Sequence, residues 1–298
     1  MTPLRRLAVL LAVVAGTVLG TAGPAAAHAG GLVATDARST VVAITPAIPG
    51  LQVVAIEDGA RLRLTNNTGG PVTISAGGGP GTPATVASGA DLTWADSRST
   101  PEGKNIDFGR TADWTLVLDA NGSAVTVSGV LTGERPPNPL PWWGLAIVAA
   151  VAVPVIARRL HRADLLLAAA GVVAMAASVA HVTGSSLAVE SAPLAGTLLN
   201  AAGVNLLAWP LILGGAITAL RGRPAGLLAV CAGAALTTVF VFPDVTSFHR
   251  AVLPFAGPPN VERVLVVLAL GLGAGVAVAG ASVLRTLARR AALAEESA

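Results

Sequence analysis

Metal chemistry in this chain has to come from histidine, and the sequence contains four: His28, His161, His181 and His249. Imidazole suits copper and zinc, so the placement of each ring decides whether it can take part. His28 stands in the stretch PAAAHAGGLVATD, Pro24 to Asp36. At a free N-terminus a histidine offers amine, backbone and ring to Cu(II), whereas an internal one offers only its ring. His161 sits among Arg158, Arg159 and Arg162 and belongs with that basic cluster. His181, His249 and a retained His28 can all lie on one face of a membrane, three imidazoles able to ligate copper or zinc. The plainer reading makes His181 an interfacial residue and leaves His249 solvated beside Arg250, because no HxH or HxxxH spacing joins them.

The elements that would position these rings begin with an export signal. MTPLRR supplies Arg5 and Arg6, LAVLLAVVAGTVL (Leu7 to Leu19) a short apolar run, and GTAGPAAA a small-residue cleavage region. A charged start, a short apolar segment and A-x-A make a secretory signal peptide over residues 1–27. Two cuts satisfy the rule. Ala25-Ala26-Ala27 leaves His28 first, and Ala27-His28-Ala29 leaves Gly30 first and discards the histidine.

Hydrophobic residues make up 53% of the chain and charged ones 12%, far below the roughly 25% charged of a soluble domain. The excess lies after the proline-rich hinge ERPPNPLP (134–141), where residues 142–290 read as five transmembrane helices. These are expected at Trp142–Ala157, Ala163–Val182, Ala195–Leu220, Pro224–Pro243 and Val261–Leu284. Arg158, Arg159 and Arg162, then Arg221 and Arg223, then Arg285, Arg289 and Arg290 mark one side; the opposite loops hold Arg250 and Arg263 against Glu190, Asp244 and Glu262. The positive-inside rule makes the arginine-rich side cytoplasmic. A multi-pass plasma-membrane protein follows, with an extracytoplasmic N-terminal domain and a cytoplasmic tail at 291–298. Trp142-Trp143 suits an aromatic anchor at the outer interface. The net charge of +3 is explained by those orientation signals, and no basic stripe interleaved with aromatics calls for nucleic acid. Cys231 is the one cysteine and has no partner for an intramolecular disulfide.

Residues 28–133 form the outer domain, large enough for one core. TVVAIT, LQVVAI, ARLRLTN, PVTIS, ATVA, DLTW, DWTLVLDA and SAVTVSGVLTG are short, β-branched runs, several with period-two alternation. Pro49-Gly50, Asp58-Gly59, Asn67-Thr68-Gly69-Gly70 and Asn121-Gly122 punctuate them. The pattern predicts an antiparallel, all-β sandwich with Trp94 and Trp114 in its core. Ser75–Ala87, rich in glycine and proline, reads as a loop.

HAGGLVATD resembles the mature start of copper-resistance CopC-like domains, secreted β-sandwiches that begin with histidine. The whole chain is similar to an uncharacterised family of actinobacterial membrane proteins that pair a β-rich outer domain with a helical bundle. The likeness rests on Val41-Val42-Ala43-Ile44-Thr45-Pro46-Ala47-Ile48-Pro49-Gly50-Leu51-Gln52-Val53, on Leu62-Arg63-Leu64-Thr65-Asn66-Asn67-Thr68-Gly69, and on VTVSGVLTG before the prolines. The resemblance implies an Ig/CopC-like fold and a role in copper handling or sensing. Its W-H-D-H-R element implies a Cu(II) or Zn(II) cluster, but Trp94-Ala95-Asp96-Ser97-Arg98 keeps the frame without either histidine. Asp96 beside Arg98 then reads as a strand-end ion pair, and the metal site as degenerate.

The spans carry no mid-membrane ionisable group. Asn200 and Asn205, beside Trp209-Pro210, suit interhelical hydrogen bonds; Gly271 and Gly275 form a G-x-x-x-G packing face; Pro154 and Pro210 are expected kinks. No G-x-S-x-G, H-E-x-x-H or phosphate-binding loop occurs, so the reading is non-enzymatic. Two functions remain. One is metal handling through His28, with His181 and His249 as helpers and copper as the cofactor. The other is a membrane-anchored binding or scaffolding module for an envelope protein or a second copy of itself. The lipid bilayer is a partner in both.

Overall fold

The computed structural model describes residues 29–75 and 84–282. The signal segment, His28, the glycine run Gly77–Gly81 and the tail at 291–298 lie outside the described residues.

All eight β-branched runs form strands: β1 (Ala37–Thr45), β2 (Leu51–Ile56), β3 (Arg61–Asn66), β4 (Val72–Ile74), β5 (Thr85–Val86), β6 (Ala90–Trp94), β7 (Thr111–Ala120) and β8 (Ser123–Gly133). They make two antiparallel sheets, ordered β1-β8-β7-β4-β5 and β2-β3-β6. Alternation does the work. In Arg61-Leu62-Arg63-Leu64 the leucines are fully buried while the arginines stay partly exposed, because successive strand residues face opposite sides of a sheet. Leu62 and Leu64 from the three-stranded sheet meet Val72, Ile74, Leu116, Leu118, Val125 and Val127 from the five-stranded one in a single core. Burying each such side chain contributes about 1.5–3 kcal/mol, which fixes the register of every strand that carries one. Asn121 and Gly122, both at positive φ, close the β7–β8 hairpin as a two-residue turn. Trp114 is buried and donates its indole N–H to Ser39 Oγ at 3.0 Å. It packs against Gly129, where a Cβ would sit 2.2 Å from the ring. Trp94 is only half-buried, at the rim of that core.

The second half is helical: α1 (Leu140–Ala157), α2 (Ala163–Leu187), α3 (Leu194–Ala202), α4 (Asn205–Leu220), α5 (Pro224–Val241) and α6 (Pro259–Ser282). Among the described residues four helical stretches are long and apolar enough to cross a membrane, with α5 counted through its continuation to Phe248. The α3–α4 pair makes a fifth if it counts as one span. That pair corrects the expected third span. Its axis bends by 69° at Gly203 and Val204, where Gly203 takes φ 46, ψ −125, while Pro210 sits within the continuous α4. Glycine tolerates that backbone at no side-chain cost, so the break falls there. Gly271 and Gly275 pack on α1: a Cβ at either would lie 2.8 Å from Ala146 O or Val153 Cβ. The G-x-x-x-G face is a close-packing device, as small residues allow.

Candidate functional site: the seam between the β-domain and the helices

The β-domain does not hang from a free hinge. Its β2–β3 turn holds Glu57 and Asp58 at φ 54 and φ 57, a left-handed conformation that costs a non-glycine residue of order 1 kcal/mol. The turn aims Glu57 across to the loop after α2, where Oε1 accepts both the Glu190 and Ser191 backbone N–H groups at 2.9 Å. Glu57 Oε2 pairs with Arg61, and the Glu57 side chain is fully buried. Arg61 also donates to Ser191 Oγ at 2.8 Å and to the Gly30 carbonyl at 2.7 Å. Arg63 adds an ion pair with Glu190 at 3.5 Å. On the other flank Thr35 and Val252 exchange two backbone hydrogen bonds of 2.9 Å. Next to that bridge, Asp36 pairs with Arg250 and accepts the Ala251 N–H at 3.0 Å. Hydrogen bonds and ion pairs thus close the seam on both flanks.

Between those flanks lies a cavity of about 460 Å³, lined by Leu32, Ala60, Ala188, Val252 and Leu253 on its apolar side. Ala95, Asp96 and Ser97 line it from the β-domain. Ala95 and Ser97 contribute a methyl and a hydroxyl to that lining. Asp96 is held internally. Arg98 donates Nε to Oδ1 at 2.9 Å and Nη2 to Oδ2 at 2.8 Å, and the Arg98 backbone N–H reaches Oδ1 at 2.9 Å. The expected ion pair is present. Burial by itself raises the Asp96 carboxyl, but the Arg98 hydrogen bonds and charge outweigh it and hold the group below its ordinary value of 3.8. A depressed carboxyl contributes stability that is present above the unfolded value and lost as pH falls through the folded one. Unfolding of the full chain in detergent should therefore show an acid-dependent loss of stability below about pH 4. The Asp96→Asn variant should be less stable at neutral pH by about 2–4 kcal/mol and lose less on acidification. Equal acid slopes for the two proteins would remove Asp96 from that role.

His181 differs from the expected interfacial residue. It is 6% exposed, with Nδ1 2.7 Å from Glu262 Oε1 and Nε2 3.1 Å from Asp244 Oδ2. The cause is tertiary. After α5 the chain turns through a short 3-10 helix, Phe242–Phe248, which brings Asp244 inward, and the first turn of α6 brings Glu262. Both ring nitrogens thus face carboxylates rather than an open site. Arg263, also buried, donates to the carbonyls of Ser247 and Arg250 and to Asn260 Oδ1, each at 2.8 Å. Phe248 is fully buried and closes the layer from the α1 side, stacked on Trp142 and edge-on to Trp143. His181 lies seven residues before Ala188, so the charged layer is roughly 10 Å below the cavity along α2. His249 is exposed beside Arg250. Among the described residues no group of three or more His, Cys, Asp or Glu is placed to hold a metal ion.

In the sequence Arg61 is one residue of an alternating strand, Glu57 one of many turn acids and Asp36 unremarkable, because their partners lie 130, 133 and 214 positions away. The one local signal was Glu57-Asp58-Gly59 at a tight hairpin, a turn without an obvious need for two acids. Comparison with protein families, curated proteins and solved structures finds no match for this chain.

Proposed function

We propose that this is a non-enzymatic membrane protein of the cell envelope. Its extracytoplasmic β-domain and helical bundle act as one recognition unit, with the ligand or partner engaging the seam. The observation that carries this reading is the docking itself: bonds on both flanks of the seam join the domain to the bundle and leave a cavity of about 460 Å³ between them. That volume is in the range of small-molecule sites, which occur preferentially at domain interfaces. The outward orientation rests on the arginine distribution and the export signal.

Copper handling is the second reading, supported by one observation. Arg61 fixes the Gly30 carbonyl, and Gly31 lines the cavity, so a mature chain beginning at His28 would start within two residues of the seam. Intact mass of the exported protein, recorded with and without one equivalent of Cu(II), separates the readings. A chain starting at His28 that retains copper, and loses it in His28→Ala, makes metal handling the function. A chain starting at Gly30, or one starting at His28 that holds no metal, leaves the seam as a metal-free recognition site.

A further inference from the structure

At the break between α3 and α4, and on the neighbouring α5, stand buried side chains whose polar atoms the protein itself leaves unsatisfied. Asn205, the first residue of α4, is fully buried, and neither its Oδ1 nor its Nδ2 has a hydrogen-bond partner. Thr237 on α5 is also fully buried, and its Oγ1 is likewise without a partner. Helices α4 and α5 pack as a close antiparallel pair. A Cβ on Gly226 would lie 2.6 Å from Gly215 O, and one on Gly233 2.8 Å from Ala208 O. Extending that register by one turn sets Asn205 level with Thr237. Gly203, which packs against the Phe240 ring, continues the same alignment. Ser178 on α2 marks this depth too, since Trp209, one turn beyond Asn205, donates to it at 3.2 Å.

Leaving one buried polar atom unpaired costs about 1–3 kcal/mol, and two acceptor oxygens at one level of the helical bundle, Asn205 Oδ1 and Thr237 Oγ1, call for an occupant. The surroundings define its chemistry. The helix ends at Ala202: Leu199 O accepts the Gly203 N–H at 3.2 Å, the carbonyls after it have no further turn of this helix to bond, and the negative end of the helix dipole points into the break. The unpaired oxygens are those of an amide and a hydroxyl, and among the described residues no group of three or more His, Cys, Asp or Glu is placed to hold a metal ion. Neutral oxygen ligands at a broken membrane helix suit a partly dehydrated alkali cation rather than a divalent or a soft metal. We propose that the α3–α4 break binds one alkali cation through Asn205 Oδ1, Thr237 Oγ1 and the carbonyl end of α3. This site is separate from the seam and does not depend on what the seam binds.

The test uses the full-length chain in detergent. Its unfolding midpoint is compared in sodium, potassium and choline chloride at equal ionic strength, with equilibrium binding of radioactive sodium as the second readout. At tenfold over Kd the bound ion should raise the midpoint by roughly 3–5 °C over choline, with close to one ion bound per chain. Thr237→Ser, which keeps the hydroxyl, should preserve both effects. Thr237→Val and Asn205→Ala should abolish the salt-specific shift while remaining folded, because each removes a group the protein leaves unpaired. Midpoints that are the same in all three salts overturn the proposal, as do variants that shift equally in each, and both results assign the orphaned atoms to ordinary buried water.

Discussion

Replacing Glu57 by alanine accelerates hydrogen exchange at the Glu190 and Ser191 amides roughly a hundredfold or more. Both amides donate to the same carboxylate oxygen, and the other oxygen neutralises Arg61. Truncation leaves Arg61 and two backbone donors without their acceptor inside the seam, and removing one partner of a buried pair costs about 3–5 kcal/mol. Where exchange proceeds by local opening, that free energy appears directly in the rate. Glu57→Gln keeps one acceptor oxygen and should give an intermediate rate. The bridge between Thr35 and Val252, on the opposite flank, should accelerate as well if the seam opens as one interface. Unchanged exchange at Glu190 and Ser191 would mean that the turn does not dock the β-domain.

Replacing His181 by leucine should lower the unfolding midpoint of the full chain by roughly 10 °C. The ring bonds both Asp244 Oδ2 and Glu262 Oε1, and leucine strips that contact from two acidic side chains held in a buried layer. Charge burial is tolerated only with a partner. The paired variant His181→Leu with Glu262→Gln removes one of those charges, so it should recover part of the loss. Non-additivity of at least about 1 kcal/mol in the double-mutant cycle is then expected. Additive effects would show that the three groups do not interact. His249→Ala, exposed and outside the layer, should leave the midpoint within about 1 °C.

Strands and helices were legible for different reasons. Several strands were visible because a sheet with one buried face imposes alternation, and Leu62, Leu64, Leu116 and Leu118 carry that signal locally. The long helices were visible because a membrane solvent demands apolar runs. Their interruptions were less so: Pro210 drew attention as the kink, but the chain breaks at Gly203, where packing against Phe240 and a left-handed backbone coincide. Asn205 read as an interhelical hydrogen bonder, and it is instead buried without a partner. A residue type reports what a side chain can do, and only the neighbours report whether it does it.

The sequence by itself determined the division into a β-domain and an apolar helical half, the eight strand segments and the Asp96–Arg98 ion pair. Each of these follows from residues close together in the chain. The tertiary structure alone decided the rest: Glu57 reaching Ser191, Asp36 reaching Arg250, and His181 closed between Asp244 and Glu262. Those partners are separated by 134, 214 and, for His181 and Glu262, 81 positions. No periodicity or spacing rule spans such intervals, because these contacts are set by how the elements pack and not by the elements' own geometry.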